Sequence, residues 1–195
     1  DSLVIRQGEL QLEDQIAGHL AKLSAINILT FDIIKGQPFD VSSDFTYQHR
    51  PSLRTYDFHL NTTLDITNHF QQWVLTNWDG LFTFNLPAEE NVPAIRLTTS
   101  GERFELDLQT QNINVVKAKL AGLGAEMTTS FSGLFGVHLA LGGSVDLKGL
   151  NFKEWAYHLG LPLPKFVEQK VLTEGNGQFE WQWDGQKLLM QEIKL

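Results

Sequence analysis

The sequence alternates apolar and polar residues with a period of two along most of its length. The alternation is clearest over residues 39–48, 56–66, 104–109 and 135–147. Neighbouring side chains of a β-strand point to opposite faces, so this pattern predicts strands with one apolar face and one polar face. Several of these segments are longer than the usual strand of about 5–6 residues. The apolar faces need a cover, and the identity of that cover is the functional question.

Composition and charge exclude several classes of protein. The 195 residues carry a net charge of −8 and contain no cluster of Lys and Arg, which argues against nucleic-acid binding. There is no cysteine, so the chain has neither a disulfide framework nor thiolate metal ligands. It also lacks a run of about 18 apolar residues, the length that a membrane-spanning helix requires.

Both ends of the sequence indicate a piece of a longer protein. It begins Asp1-Ser2-Leu3 without a targeting segment and ends Ile193-Lys194-Leu195 inside an alternating stretch. We therefore expect residues 1–195 to form a single β-rich domain that was cut from a longer region. Strands at such ends would expose unpaired backbone groups, which predicts edge-to-edge self-association.

A few segments depart from the two-residue period. The spacing of Phe70, Trp73 and Val74 predicts a short helix over residues 68–78, and the apolar positions of 151–159 predict a helix capped by Asn151. A second turn or helix is expected over 165–172. Residues 15–30 fit a helix or a strand equally well.

Turn residues divide the remaining strands. Gly36-Gln37-Pro38 predicts a turn before the strand at Phe39, and Asp184-Gly185 predicts a two-residue hairpin between the last two strands. Ser100-Gly101-Glu102 predicts another hairpin. Residues 135–147 are expected to form one long strand.

Motifs for catalysis and cofactor binding are missing from the sequence. It contains no Gly-x-Ser-x-Gly elbow, no phosphate-binding glycine loop and no pair of His residues at metal-ligand spacing. We expect no enzymatic activity, no cofactor and no metal. The tryptophans allow an alternative, a carbohydrate- or protein-binding β-sandwich in which Trp181 and Trp183 form an exposed platform.

Two parts of the chain, residues 2–66 and 115–195, resemble the AsmA family in the order and pattern of their features. The similarity includes no catalytic motif. Its strongest part is the strand Gly143-Ser144-Val145-Asp146-Leu147, which leads through Trp155 into Leu159-Gly160-Leu161-Pro162. The other matching segments are 5–14, 23–28, 36–39, 148–152 and 171–173.

The resemblance implies a non-enzymatic protein of the Gram-negative cell envelope. AsmA-like proteins have an inner-membrane anchor, which would lie outside this sequence, and a periplasmic β-rich body. They belong to a group of bridge-like proteins whose long sheets form an apolar trough for lipid. The implied function is phospholipid transport and outer-membrane biogenesis, with phospholipid or another acyl-chain ligand as the partner.

The resulting expectation is a mainly β fold, a long, curled antiparallel sheet that forms an open groove or half-barrel with one or two short α-helices. Periodicity alone favours a closed two-sheet sandwich, because a sealed core leaves the same alternation, whereas the resemblance favours the groove. The residues expected to line the groove and contact lipid are Phe39, Val41, Phe45, Tyr47, Phe58, Leu60, Leu64, Phe82, Phe84, Phe104, Leu106 and Leu108.

Overall fold

Eleven antiparallel β-strands make up most of the protein. The structure is a computed structural model that describes residues 1–14, 19–50, 54–67, 69–85, 94–159 and 175–194. One helix lies between the ninth and tenth strands. The elements are β1 (Val4–Asp14), β2 (His19–Phe31), β3 (Phe39–Arg50), β4 (Arg54–Thr67), β5 (Gln72–Asn85), β6 (Ile95–Asp107), β7 (Asn112–Gly122), β8 (Ala125–Leu134), β9 (Ala140–Leu150), α1 (Phe152–Leu159), β10 (Gly175–Trp183) and β11 (Leu188–Lys194).

All eleven strands belong to one sheet in which spatial order equals sequence order. Each strand pairs antiparallel with its neighbours along the chain. The connection between β9 and β10 is longer than the others and contains α1. The sheet is not closed into a barrel, and β1 and β11 are its two edges. The predicted mainly β, antiparallel architecture is confirmed.

The described strands form a single layer instead of the two packed sheets of a sandwich. The protein exposes 13239 Å² of accessible surface, whereas a compact monomer of this mass exposes about 9,300 Å². Only seven described residues are buried, five of them apolar. The apolar face of this sheet therefore has no second sheet against it within the described part of the chain.

Helix α1 begins where the sequence predicts. The side-chain Oδ1 of Asn151 accepts a hydrogen bond from the backbone N–H of Glu154 at 3.1 Å, as an N-cap residue does. The further helix or turn expected over residues 165–172 lies outside the described residues.

The hairpin between β10 and β11 is also confirmed. Its connection is residues 184–187 and not the predicted pair Asp184-Gly185 alone, because β10 ends at Trp183 and β11 begins at Leu188. Gly185 has a φ of 89°, a left-handed conformation that glycine adopts without strain. The Asp184 carboxylate accepts hydrogen bonds from the N–H groups of Gln186 and Lys187 at 3.0 and 2.7 Å. These bonds lower the pKa of Asp184, because they stabilise the ionised form.

The helix predicted over residues 68–78 is wrong, since residues 72–78 belong to β5. Asn77 has a φ of 50° and forms a bulge: Asn61 pairs with Asp79, but Thr63 pairs with Thr76. One additional residue in a strand changes which parity of residue numbers faces a given side. The apolar positions therefore shift phase inside β5 after residue 77. The helix-like spacing before that point has a different origin, because Phe70 lies in the turn before β5 and Val74 lies on the face opposite to Trp73.

Two further sequence predictions fail for related reasons. Ser100-Gly101-Glu102 lies inside β6 and not at a hairpin, and the apolar phase shifts at this point as it does in β5. Residues 135–147 are not one strand, because the chain reverses between β8 and β9 around Gly136, which has a φ of 88°. The ambiguous 15–30 segment contains a strand, β2, whose phase shifts at Ala25 (φ 51°).

Candidate functional site

The strand register assigns the paired residues to two faces that differ in composition. Residues directly opposite each other on neighbouring strands share a face, and these pairs connect one set of residues across the whole sheet. We call this set the apolar face. Its larger members are Ile5, Leu10, Leu12, Leu23, Ile26, Ile28, Phe39, Val41, Phe45, Tyr47, Tyr56, Phe58, Leu60, Leu64, Ile66, Trp73, Leu75, Trp78, Phe82, Phe84, Ile95, Leu97, Phe104, Leu106, Ile113, Val115, Leu120, Met127, Phe131, Leu141, Val145, Leu147, Phe179, Trp181, Trp183, Leu188 and Met190.

The apolar face has no Asp, Glu, Lys or Arg among the paired residues whose side chains the structure describes. Three of its threonines, Thr30, Thr62 and Thr129, direct their hydroxyl groups to the backbone. Thr62 Oγ1 donates to the carbonyl of Thr76 at 3.3 Å, and Thr129 Oγ1 donates to that of Ser144 at 2.9 Å. Because these hydroxyls are satisfied within the sheet, these threonines present mainly their methyl groups.

Six rings from β3, β4 and β5 pack together on the apolar face, and we call them the aromatic cluster. Across the strands, the ring centroids of Phe45 and Phe58 are 4.6 Å apart, and those of Phe58 and Phe82 are 4.3 Å apart. These separations are typical of stacked and edge-to-face aromatic pairs. The members of the aromatic cluster are Phe45, Tyr47, Tyr56, Phe58, Phe82 and Phe84.

The few buried residues are concentrated on the apolar face. Ile95 is 2% exposed and Val115 is 4% exposed, both in the middle strands. Val74 is the one buried residue of those described that the register assigns to the opposite face. Most other apolar-face side chains, including the aromatic cluster, are half-buried by one another.

The opposite face, which we call the polar face, satisfies its side chains with hydrogen bonds between strands. His59 Nδ1 lies 2.6 Å from Asp44 Oδ1, and Asn61 Nδ2 lies 3.1 Å from His59 Nε2 and 3.2 Å from Asp79 Oδ2. Apolar side chains such as Phe31 are scattered among these groups. This composition is that of a surface in contact with water.

Charged pairs continue the polar face over β6 and β7. Arg103 contacts Glu105, whose other carboxylate oxygen accepts a hydrogen bond from Asn114 Nδ2 at 3.1 Å. Lys117 Nζ and Glu102 Oε1 form an ion pair at 2.7 Å. The hydrogen bonds from Arg103 and Asn114 lower the pKa of Glu105 by stabilising the carboxylate.

Eleven of the twelve residues expected to contact lipid lie on the apolar face. The register aligns Phe39 with Leu64, Phe45 with Phe58, and Tyr47 with Tyr56, and β5 and β6 continue the same face. Leu108 is the exception: it follows the end of β6, and its N–H donates to the carbonyl of Gln71 at 2.7 Å. It is 46% exposed at this turn.

Several members of the apolar face were not anticipated from the sequence. Trp78 was concealed by the phase shift at Asn77, and Trp73 by its apolar neighbour Val74 on the opposite face. Phe131 lay in a stretch whose alternation is interrupted at Lys117 (φ 49°). Trp181 lies on the same face, with its ring centroid 5.9 Å from that of Phe131. The alternation could have been followed separately before and after each polar residue, with the apolar side allowed to change there. That procedure would have placed Trp78 and Phe131 on the apolar face.

The described residues contain no His, Cys, Asp or Glu cluster arranged to hold a metal ion. Nor do they include a helix long and apolar enough to cross a bilayer. No protein-family model, curated protein or solved structure matches the chain.

Proposed function

We propose that this protein is a non-enzymatic lipid-handling domain whose apolar face contacts acyl chains. The observation that carries the proposal is the single-layer sheet with one apolar face that extends over all eleven strands and has no charged residue among its paired residues with described side chains. With neighbouring strands about 4.8 Å apart, this face extends about 48 Å across the strands. Exposed apolar patches larger than a few hundred Å² mark surfaces that bind a partner.

The chemistry of the face favours an acyl chain as that partner. Each methylene group that leaves water contributes about 0.8 kcal/mol, so a long hydrocarbon chain binds an apolar surface without any polar contact. Three threonine hydroxyls of the face are bonded to the backbone, which leaves fewer groups to orient a polar ligand. Recognition of the hydrocarbon, and not of a headgroup, follows from this arrangement.

The resemblance to the AsmA family supports the same proposal and adds a cellular setting. In that setting the protein is the periplasmic part of an inner-membrane-anchored envelope protein, and it contributes to phospholipid transport and outer-membrane biogenesis. The alternative, a carbohydrate- or protein-binding β-sandwich, requires two packed sheets, whereas the described strands form one. Trp181 and Trp183 also lie on the apolar face, beside Gly143 and Leu141.

The proposal is tested with a phosphatidylethanolamine that carries a photoactivatable diazirine in one acyl chain. Illumination should label the full chain, and Phe82→Asp should abolish most of the labelling, because it places a charge in the aromatic cluster. Thr83→Asp is the matched control, since Thr83 follows Phe82 in β5 and lies on the polar face. Circular dichroism shows whether each variant keeps its sheet.

Two results would contradict the proposal. One is an unlabelled wild-type protein, together with native mass spectra that show no co-purified phospholipid. The other is equal labelling of Phe82→Asp and Thr83→Asp, which would mean that the lipid does not distinguish the two faces.

A further inference from the structure

Trp78 and Gly101 lie side by side in the middle of the apolar face and are directly paired between β5 and β6. The ring carbons Cζ2, Cη2 and Cε2 of Trp78 occupy the position that a Cβ atom on residue 101 would take. The indole therefore lies flat over the glycine. Of the two pairs that flank it on the face, Gly80 with Thr99 is small and Leu75 with Phe104 is large.

The indole, and not the backbone, requires a glycine at position 101. Gly101 is not among the glycines with a positive φ, so an alanine is compatible with its backbone conformation. The bulge at Asn77, with a φ of 50°, turns the following residue, Trp78, onto the apolar face. The bulge and the glycine thus act together. The bulge places the indole on the apolar face, and the glycine leaves room for the indole to lie against the sheet.

We propose that Trp78 is a lipid-contact residue that lies flat to keep the middle of the apolar face open, and that Gly101 is its positioning residue. This inference rests on the function proposed above. Strand side chains stand roughly perpendicular to a sheet, so an indole displaced by a Cβ at position 101 would rise into the space that an acyl chain occupies. The competing interpretation is that an aromatic ring over a strand glycine only stabilises the sheet.

The test measures labelling by the same diazirine phosphatidylethanolamine together with the melting temperature of each variant. Gly101→Ala should lose most of the labelling, while Trp78→Ala, which removes one contact but leaves the face open, should lose much less. The double variant Trp78→Ala/Gly101→Ala should be labelled as strongly as Trp78→Ala, because no indole remains to be displaced. Gly142→Ala is the matched control, since a Cβ there would meet only ordinary contacts at 3.4 and 3.5 Å on the polar face.

A second pair of variants keeps the inference testable if Gly101→Ala does not fold. Trp78→Phe retains a ring that can lie on Gly101 and should keep the labelling, whereas Trp78→Leu places a branched side chain upright and should reduce it. A spectroscopic measurement is independent of lipid. With Trp73, Trp155, Trp181 and Trp183 replaced by Phe, Gly101→Ala should shift the emission of Trp78 to longer wavelength as the indole rises into water.

The outcomes separate this inference from the proposed function. Wild-type labelling with unchanged labelling of Gly101→Ala, or a double variant that stays as poorly labelled as Gly101→Ala, would overturn the role of Gly101 and leave the proposed function standing. If the extent of labelling correlates with the melting temperature across all the variants, the contact between Trp78 and Gly101 only stabilises the sheet, and the inference is likewise overturned. An unlabelled wild-type protein would overturn the proposed function and this inference with it.

Discussion

The two faces of this sheet share one backbone but complete their interactions in different ways. On the polar face, His59 bonds to Asp44 of the neighbouring strand and to Asn61 of its own strand. On the apolar face the large side chains pack against one another, as Phe45, Phe58 and Phe82 do, and no described sheet covers them. The polar face is complete in water, whereas the apolar face gains free energy from any partner that removes it from water.

The largest effect on stability should come from truncating the aromatic cluster, and its size tests whether the apolar face is open. Phe→Ala in a sealed core costs about 3–5 kcal/mol. Phe58 is only half-buried, so we expect Phe58→Ala to lower the free energy of unfolding by about 1–2 kcal/mol. Urea denaturation without lipid measures this, with Thr83→Ala on the polar face as a control that should change it by about 0.5 kcal/mol or less. A cost above about 3 kcal/mol would indicate a closed core.

Association through the sheet edges should produce the next effect. Strand β11 is exposed along its whole length and has one described neighbour, β10. We expect the protein to self-associate as its concentration rises, and Leu189→Lys to shift it toward monomer, because a lysine on an edge strand opposes strand pairing. Sedimentation velocity measures the shift, and Thr128→Lys on the interior strand β8 is the control. A wild-type protein that stays monomeric at high concentration would contradict the prediction.

The ion pair on the polar face should contribute little to stability. Lys117 and Glu102 have side chains that are 62% and 55% exposed, and exposed pairs contribute at most about 1 kcal/mol. A double-mutant cycle with Lys117→Ala and Glu102→Ala should give a coupling energy of about 0.5 kcal/mol or less. High salt should remove it. A coupling that persists in high salt would mean that the polar face is less hydrated than its exposure indicates.

The smallest effect concerns pH. The pKa of Glu105 is lowered in the folded protein, chiefly by its hydrogen bond from Arg103, so its contribution to stability is complete above the unfolded pKa of about 4.3 and is lost as the pH falls through the folded value. Both side chains are partly exposed, at 47% and 28%, so solvent screens the interaction. Glu105→Gln should make the loss of stability between neutral and acidic pH slightly shallower. An unchanged slope would contradict this assignment.

Within each uninterrupted stretch, the sequence was sufficient to assign side chains to faces. Residues 39–47 and 56–66 contain no bulge against each other, and nine paired positions from Phe39↔Leu64 to Tyr47↔Tyr56 follow simple parity. Seven of the residues predicted to contact lipid come from these two strands, and all seven lie on the apolar face. Helix α1 and the Asp184-Gly185 hairpin were also predicted, because their signals are local.

Prediction failed where a strand contains an additional residue. Gln7, Ala25, Asn77, Lys117 and Glu192 all have φ between 49° and 53° and all coincide with a shift in register. None is a glycine, and no local motif distinguishes them from other strand residues. Parity changes at each of these positions, so counting alone placed Trp78 out of phase with the apolar residues before it in β5. The matching shift in β6 was interpreted as a hairpin at Gly101.

The sequence by itself determined that the chain would be antiparallel β-structure with one apolar and one polar side, because a two-residue period is a property of each strand alone. Only the tertiary structure decided that the described strands form one layer, and that the bulges align separate apolar segments into one face. The physical reason is that a sealed sandwich and an open sheet both need strands with one apolar side, so both leave the same alternation in the sequence. Their difference lies in which strands are neighbours and in register, and backbone pairing between strands sets both.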